Sequence, residues 1–145
     1  MTRRIVSIGY EGRTIEEFVD VLRDHQVSAV ADVRLTPLSR KPGFSKTRLT
    51  AALAEAGIVY VHLRPLGNEK DNREPFWSGR VDEARATFRQ RLSSPEPRAA
   101  LAQLAELAGD HAVAVLCFES DPARCHRHVV LDELAHDMPL SVTYA

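Results

Sequence analysis

The densest set of reactive side chains in this 145-residue sequence lies in one short stretch, Cys117-Phe118-Glu119-Ser120-Asp121-Pro122-Ala123-Arg124-Cys125-His126-Arg127. It holds both cysteines of the chain, two carboxylates, a histidine and two arginines. Asp121-Pro122 is an N-cap followed by proline at the first helical position, so the reading is a strand that ends near Phe118 and a helix that starts at Pro122. That puts Cys125 in a first helical turn. There free N–H groups and the helix dipole favour thiolate, as do Arg124, His126 and Arg127 beside it. Cys125 is therefore a candidate nucleophile, with a packed thiol as the alternative. Cys117 ends an apolar strand and reads as a core residue that borders the site. Glu119 and His126 are candidate acids or bases. Arg124 and Arg127 stand three apart and would share a helix face suited to an anion. A cysteine-phosphatase cradle does not fit: six residues separate Cys117 from Arg124, and none is glycine.

Other strand ends add to this set. Gly9 and Tyr10 follow the first strand, Asp32 and Arg34 the second, and Tyr60, His62 and Arg64 the third. A carboxylate at the end of a buried strand is costly unless paired, and Arg34 lies two residues on, on the same side. Asp32 is thus either a catalytic carboxylate or half of a structural ion pair. Arg34 is an anion clamp in the first case and its partner in the second. Arg40, in the loop beyond, is a further candidate for ligand binding. His62 reads either as an acid/base group or metal ligand, or as a core-edge residue. Phe44, Phe76 and Trp77 are either base-stacking groups or anchors for long loops. No metal ligand set is expected: two cysteines at this separation do not make the paired motif of a structural zinc site.

These residues need a scaffold, and the chain length suits one domain, residues 1–145, with its own core. The sequence is 44 % apolar and 27 % charged, and its net charge is −1, which argues against a general electrostatic nucleic-acid binder. The charge is unevenly spread. Between Arg34 and Arg80 there are nine Lys/Arg against four Asp/Glu, a local excess of five that suits a phosphate-bearing partner or forms a solvated loop region. No apolar run approaches the roughly 20 residues of a membrane span, and the start is not a signal peptide, so a cytoplasmic setting without membrane contact is expected. In such a setting the cysteines are expected as thiols.

Short β-branched runs alternate with amphipathic ones. Strands are expected at 4–8, 27–33, 58–63, 112–118 and 140–143. Helices are expected after Thr14, whose Glu17 completes a capping box, and over 46–56 with Gly57 as its stop. Further helices are expected over about 79–92, 98–108 and 122–136, with a break at Ser93-Ser94-Pro95-Glu96-Pro97. This alternation implies a mostly parallel sheet of about five strands, helices on both faces, in a Rossmann-like three-layer α/β fold. The run 112–118 is the most apolar and should lie centrally. Two long loops, 34–45 and 64–78, follow strands, and ligands of open α/β sheets bind beyond the carboxyl ends of strands. The strand-end residues above therefore share one edge.

Ser7-Ile8-Gly9-Tyr10-Glu11-Gly12, Ala31-Asp32-Val33-Arg34 with Pro37 and Ser39-Arg40, Leu66-Gly67, and Leu116-Cys117-Phe118-Glu119 leading to Cys125-His126-Arg127 together resemble the domain-of-unknown-function family numbered 488. The resemblance spans essentially the whole chain. It implies a compact bacterial or archaeal α/β protein with its site at these motifs, and it supplies no reaction. The function expected from the residues is an enzyme acting on a phosphate- or nucleobase-containing ligand at the carboxyl edge of the sheet. The acid/base set is Asp32, Glu119 and His126, with Cys125 as nucleophile. Gly9, Tyr10, Arg34, Arg40, Cys117 and Arg127 contact the ligand. The alternative is a non-catalytic nucleic-acid or nucleotide-binding module. Neither cofactor nor oligomeric state follows from the sequence.

Overall fold

The computed structural model describes residues 2–145. The chain runs β1 (Arg3–Gly9), α1 (Ile15–Asp24), β2 (Ala29–Asp32), α2 (Lys46–Glu55), β3 (Val59–His62), the short α3 (Glu74–Trp77), α4 (Val81–Leu92), α5 (Pro95–Asp110), β4 (Val113–Cys117), α6 (Arg127–Asp137) and β5 (Leu140–Tyr144). The strands form one sheet in the order β3-β2-β4-β1-β5, and every pairing is parallel. The expected fold class is thus the observed one. β4 is central and buried at all five of its residues. A strand covered on both faces has no polar side to show, which is why its sequence is uninterrupted by polar residues.

Two apolar cores lie on opposite faces of the sheet. On one, Phe18, Leu22, Leu49 and Leu53 of α1 and α2 pack against Val6, Ile8, Val30, Ala114 and Leu116. On the other, Phe88, Leu101, Leu104 and Val130 of α4, α5 and α6 pack against Ile5, Ala29, Ala31, Val113 and Val115. Alternate residues of each strand serve opposite cores, as the two-residue period of a strand requires. The connections leaving β1 and β2 carry helices of the first face, and the one leaving β4 carries α6 of the second. The chain therefore parts to opposite faces on both sides of the carboxyl end of β4. Such a parting opens a crevice there.

Local signals set most of the helix ends. Thr14 caps α1, with the reciprocal Thr14–Glu17 bonds of a capping box. Gly57 stops α2 at φ +74°, where a side chain would be strained. The expected break over Ser93–Pro97 is the start of α5 instead. Pro95 and Pro97 lie in its first turn, where a missing N–H leaves no bond unmade. The expected helix from Pro122 is also revised. Pro122–Arg124 form a single 3₁₀ turn capped by Asp121, Cys125 is extended at φ −137°, and α6 begins only after His126. No helix among the described residues is long and apolar enough to cross a membrane.

Candidate active site

The crevice beside β4 contains a cavity of about 190 Å³. Its walls come from four separate segments: Tyr10 after β1; Arg34, Leu35, Thr36 and Leu38 after β2; Asn68, Arg73, Phe76 and Trp77 from the second long loop; and Cys117, Phe118, Glu119, Arg124, Cys125 and His126 around the turn after β4. Three cations, one carboxylate, a cysteine pair and a histidine thus border one small space. Its exposed lining is partly apolar. Leu38, Trp77 and Phe118 belong to it, and they are three of the five large hydrophobic side chains that stay exposed among the described residues.

Glycine holds two of these segments together. A Cβ on Gly9 would meet the Glu119 carbonyl oxygen at 1.9 Å, so only glycine lets the end of β1 pass under the turn. Backbone bonds from Tyr10 to Cys117 and from Glu11 to Phe118 close that contact, and Glu11 Oε1 accepts from Ser120 N. Tyr10 then lies flat on Phe44 at 4.4 Å between ring centres, with the Phe118 ring edge-on at 5.3 Å. Phe44 is fully buried and acts as an anchor.

Asp32 is fully buried and does not reach the cavity. Its carboxylate accepts from Arg34 Nε and Nη2 at 2.9 and 2.8 Å, from Arg34 N at 3.1 Å and from the Tyr60 hydroxyl at 2.5 Å. Those contacts occupy both oxygens, so Asp32 orients Arg34 and has no lone pair facing a substrate. The same environment pushes the Tyr60 hydroxyl well above its ordinary range, through burial and the adjacent carboxylate. The Arg34 guanidinium is held charged: burial opposes the charge, and the Asp32 carboxylate outweighs it. Arg34 Nη1 also donates to the Phe44 carbonyl at 2.7 Å and toward the Tyr10 hydroxyl at 3.4 Å, leaving one Nη2 hydrogen for a ligand.

The turn after β4 differs most from the sequence reading. Because the 3₁₀ turn folds the chain back, Cys125 returns over the end of β4 and is joined to Cys117 as a disulfide. The expected free thiols, and the helix-dipole argument for Cys125, do not hold in this state. Both cysteines are buried. Spacing alone hid the contact, although two cysteines flanking an Asp-Pro turn were a signal of a returning chain. His126 is also buried. Its ring faces the Val33 carbonyl through Nε2 at 2.8 Å and Cys125 Sγ through Nδ1 at 3.6 Å. A carbonyl only accepts, so Nε2 carries the hydrogen and Nδ1 presents a lone pair. Burial pushes the His126 pKa down to about 4.

Glu119 lies half-buried, its carboxyl 3.5 Å from Cys117 Sγ. Burial raises its pKa, against the opposing pull of Arg127, Trp77 and Arg73. A carboxyl shifted upward inside a cavity is a candidate for proton transfer. Arg127 is not a ligand clamp. It is 1 % exposed, lies outside the cavity lining, and donates from Nη2 to the Glu119 carbonyl at 2.6 Å, while Nε and Nη1 have no partner. Burial lowers its pKa to about 10. Its place is beneath the turn, fixing Glu119, and it does not share a face with the exposed Arg124. Arg40 is exposed on its loop and also outside the cavity lining. His62 bonds the Arg34 carbonyl at 2.8 Å and braces that loop. Asn68 had no mark in the sequence and Arg73 was only one of nine basic residues between Arg34 and Arg80, because only the folded path of the second long loop brings them to the edge.

A family model described as Domain of unknown function DUF488 matches residues 14–134. The chain belongs to the DUF488 family. No curated protein and no solved structure matches it. The DUF488 match runs from the Thr14 cap to Leu134 in α6, so it includes the turn from Cys117 to Arg127 and both long loops.

Proposed function

We propose that this DUF488 protein is an enzyme acting on a small phosphate- or nucleobase-containing ligand held in the cavity at the carboxyl edge of its sheet. One observation carries the reading: a single cavity joins Glu119, with its raised pKa, to Arg34, Arg73 and Arg124 and to the aromatic mouth of Phe118 and Trp77. At about 190 Å³ it is smaller than the roughly 300–1,000 Å³ of drug-sized ligand sites, which suits a nucleobase or the phosphate end of a larger molecule. The arginines match an anion, the mouth aromatics match a flat ring, and Glu119 moves the proton. Asp32 and Arg127 serve as positioning residues. The proposal includes the cytoplasmic setting and the bacterial or archaeal host expected from the sequence.

The test is a thermal-shift screen of the wild type against nucleobases, nucleoside monophosphates and inorganic phosphate. At a concentration of 100 Kd a ligand adds about 2.7 kcal/mol of stability. A rise of at least a few degrees is expected for one class, followed by turnover that Glu119→Gln abolishes while binding persists. No shift with any class, or unchanged turnover in Glu119→Gln, refutes the proposal. The exposed Trp77 and Phe118 beside Arg124 favour one second reading, a non-catalytic module for nucleic acid or nucleotide. That reading predicts binding to single strands that falls steeply with salt.

A further inference from the structure

We infer that Cys117, Cys125 and His126, once the cysteine pair is reduced, form a three-ligand zinc site whose fourth coordination position opens into the cavity. Cys117 Sγ, Cys125 Sγ and a His126 ring nitrogen lie within 4.8 Å of one another, and all three residues are buried. This is a donor set of two thiolates and one imidazole, which zinc favours. The Cα atoms of the two cysteines stand 7.6 Å apart, wider than the 4.4–6.8 Å usual for a bridged pair. A cysteine–metal–cysteine bridge is longer by one atom, because two bonds of about 2.3 Å take the place of the single sulfur–sulfur bond.

His126 is already oriented as a ligand. Its Nε2–H is bound by the Val33 carbonyl at 2.8 Å, so the Nδ1 lone pair faces Cys125 Sγ at 3.6 Å. A ligand histidine held by a backbone carbonyl on its other nitrogen is the usual outer-shell arrangement of zinc sites. Three protein ligands leave one position for water or substrate, which distinguishes an open site from a closed structural one. All three ligands line the cavity, as does Glu119, so that position faces the same space. Charge also balances there. Two thiolates neutralise the charge of the ion.

The chemistry balances in two steps. A dithiol reductant breaks the Cys117–Cys125 bond, supplies two electrons and two protons to give two thiols, and closes its own disulfide. Zn²⁺ then forms two Zn–S bonds and one Zn–N bond, and the two thiol protons leave to solvent. The oxidised pair cannot offer two thiolates, so the same protein has a metal-free disulfide form and a zinc form. The inference stands on the ligand geometry and does not depend on which organic ligand the cavity takes.

The experiment uses the full chain and zinc alone. Wild-type protein is reduced with dithiothreitol, loaded with Zn²⁺, freed of excess by dialysis and assayed by atomic emission. The same protein kept oxidised is carried in parallel. One zinc per chain is expected in the reduced form and less than a tenth of that in the oxidised form. Cys125→Ser and His126→Gln are each expected to weaken zinc binding at least tenfold. Bound zinc should also slow the reaction of both cysteines with a thiol reagent at least tenfold, a measurement that needs no variant. Absence of stoichiometric zinc in the reduced wild type overturns the inference, as does equal zinc in the oxidised form. Because no organic ligand is present, failure here leaves the proposed ligand site standing, and failure of the ligand screen leaves the zinc site standing.

Discussion

Replacing Gly9 by alanine tests how the site is built. The new Cβ would lie 1.9 Å from the Glu119 carbonyl oxygen, 2.4 Å from its carbon and 2.8 Å from Ser120 N. A tolerable carbon–oxygen contact is about 3.3–3.6 Å, so the end of β1 and the turn after β4 must separate by about 1.5 Å. Neither side yields easily, because both are backbone. The separation breaks the bonds from Tyr10 N to Cys117 O and from Glu11 N to Phe118 O. It also pulls Ser120 away from Glu11. At about 0.5–1.5 kcal/mol per lost bond, the expected destabilisation is about 2–4 kcal/mol. For a chain of this size that lowers the melting midpoint by roughly 5–15 °C. Gly109→Ala is the matched control. It sits near the end of α5 with nothing within 4 Å of the added atom, and alanine there should stabilise by about 0.5 kcal/mol. Chemical denaturation of the two variants and the wild type gives both values. Ligand binding should fall with Gly9→Ala as well, because Glu119 moves with its backbone. A Gly9→Ala protein as stable as the wild type would show that the turn does not rest on β1, and the derivation of the cavity would fail with it.

Asp32→Asn leaves Arg34 buried with its counter-charge removed, and should cost about 3–5 kcal/mol in urea unfolding; a loss under 1 kcal/mol would mean that solvent reaches the pair. Trp77→Ala changes an exposed side chain at the cavity mouth, so stability in urea unfolding should stay within about 0.5 kcal/mol of wild type while ligand affinity in calorimetric titration drops; a larger stability loss with unchanged affinity would refute this. His126 has a folded pKa of about 4 and an ordinary value near 6.5, so the unfolded chain binds more protons between those values. Stability from this residue is therefore complete above about pH 6.5 and declines as pH falls toward 4, by about 3 kcal/mol in all. Subtracting the pH profile of His126→Gln from that of the metal-free wild type isolates the effect, and a flat difference would contradict the buried, neutral ring.

The sequence by itself determined the scaffold. Period-two and period-3.6 patterns are local properties of a strand and a helix, so five strands, a mostly parallel sheet and the two-sided burial of β4 could be read directly. The capping box at Thr14 and the stop at Gly57 are local for the same reason. Because all strands run one way, their ends collect at one edge, and Tyr10, Arg34, Cys117, Glu119, Cys125 and His126 could be placed there in advance. What each residue does at that edge was decided by tertiary structure. Asp32 read either as a catalytic carboxylate or as half of an ion pair with Arg34 until Tyr60, 28 residues away, was seen to close its last lone pairs. Arg127 looked like a clamp until α6 started one turn later than the Pro122 signal implied and carried its side chain inward. Arg73 reached the cavity only through the path of a loop that has no periodic pattern. The turn from Cys117 to Arg127 shows both levels at once. Its location follows from local signals, while the meeting of Cys117, Cys125 and His126 depends on Cys125 being extended after the 3₁₀ turn and on the His126 ring reaching the carbonyl of Val33, which is 93 residues away in the chain.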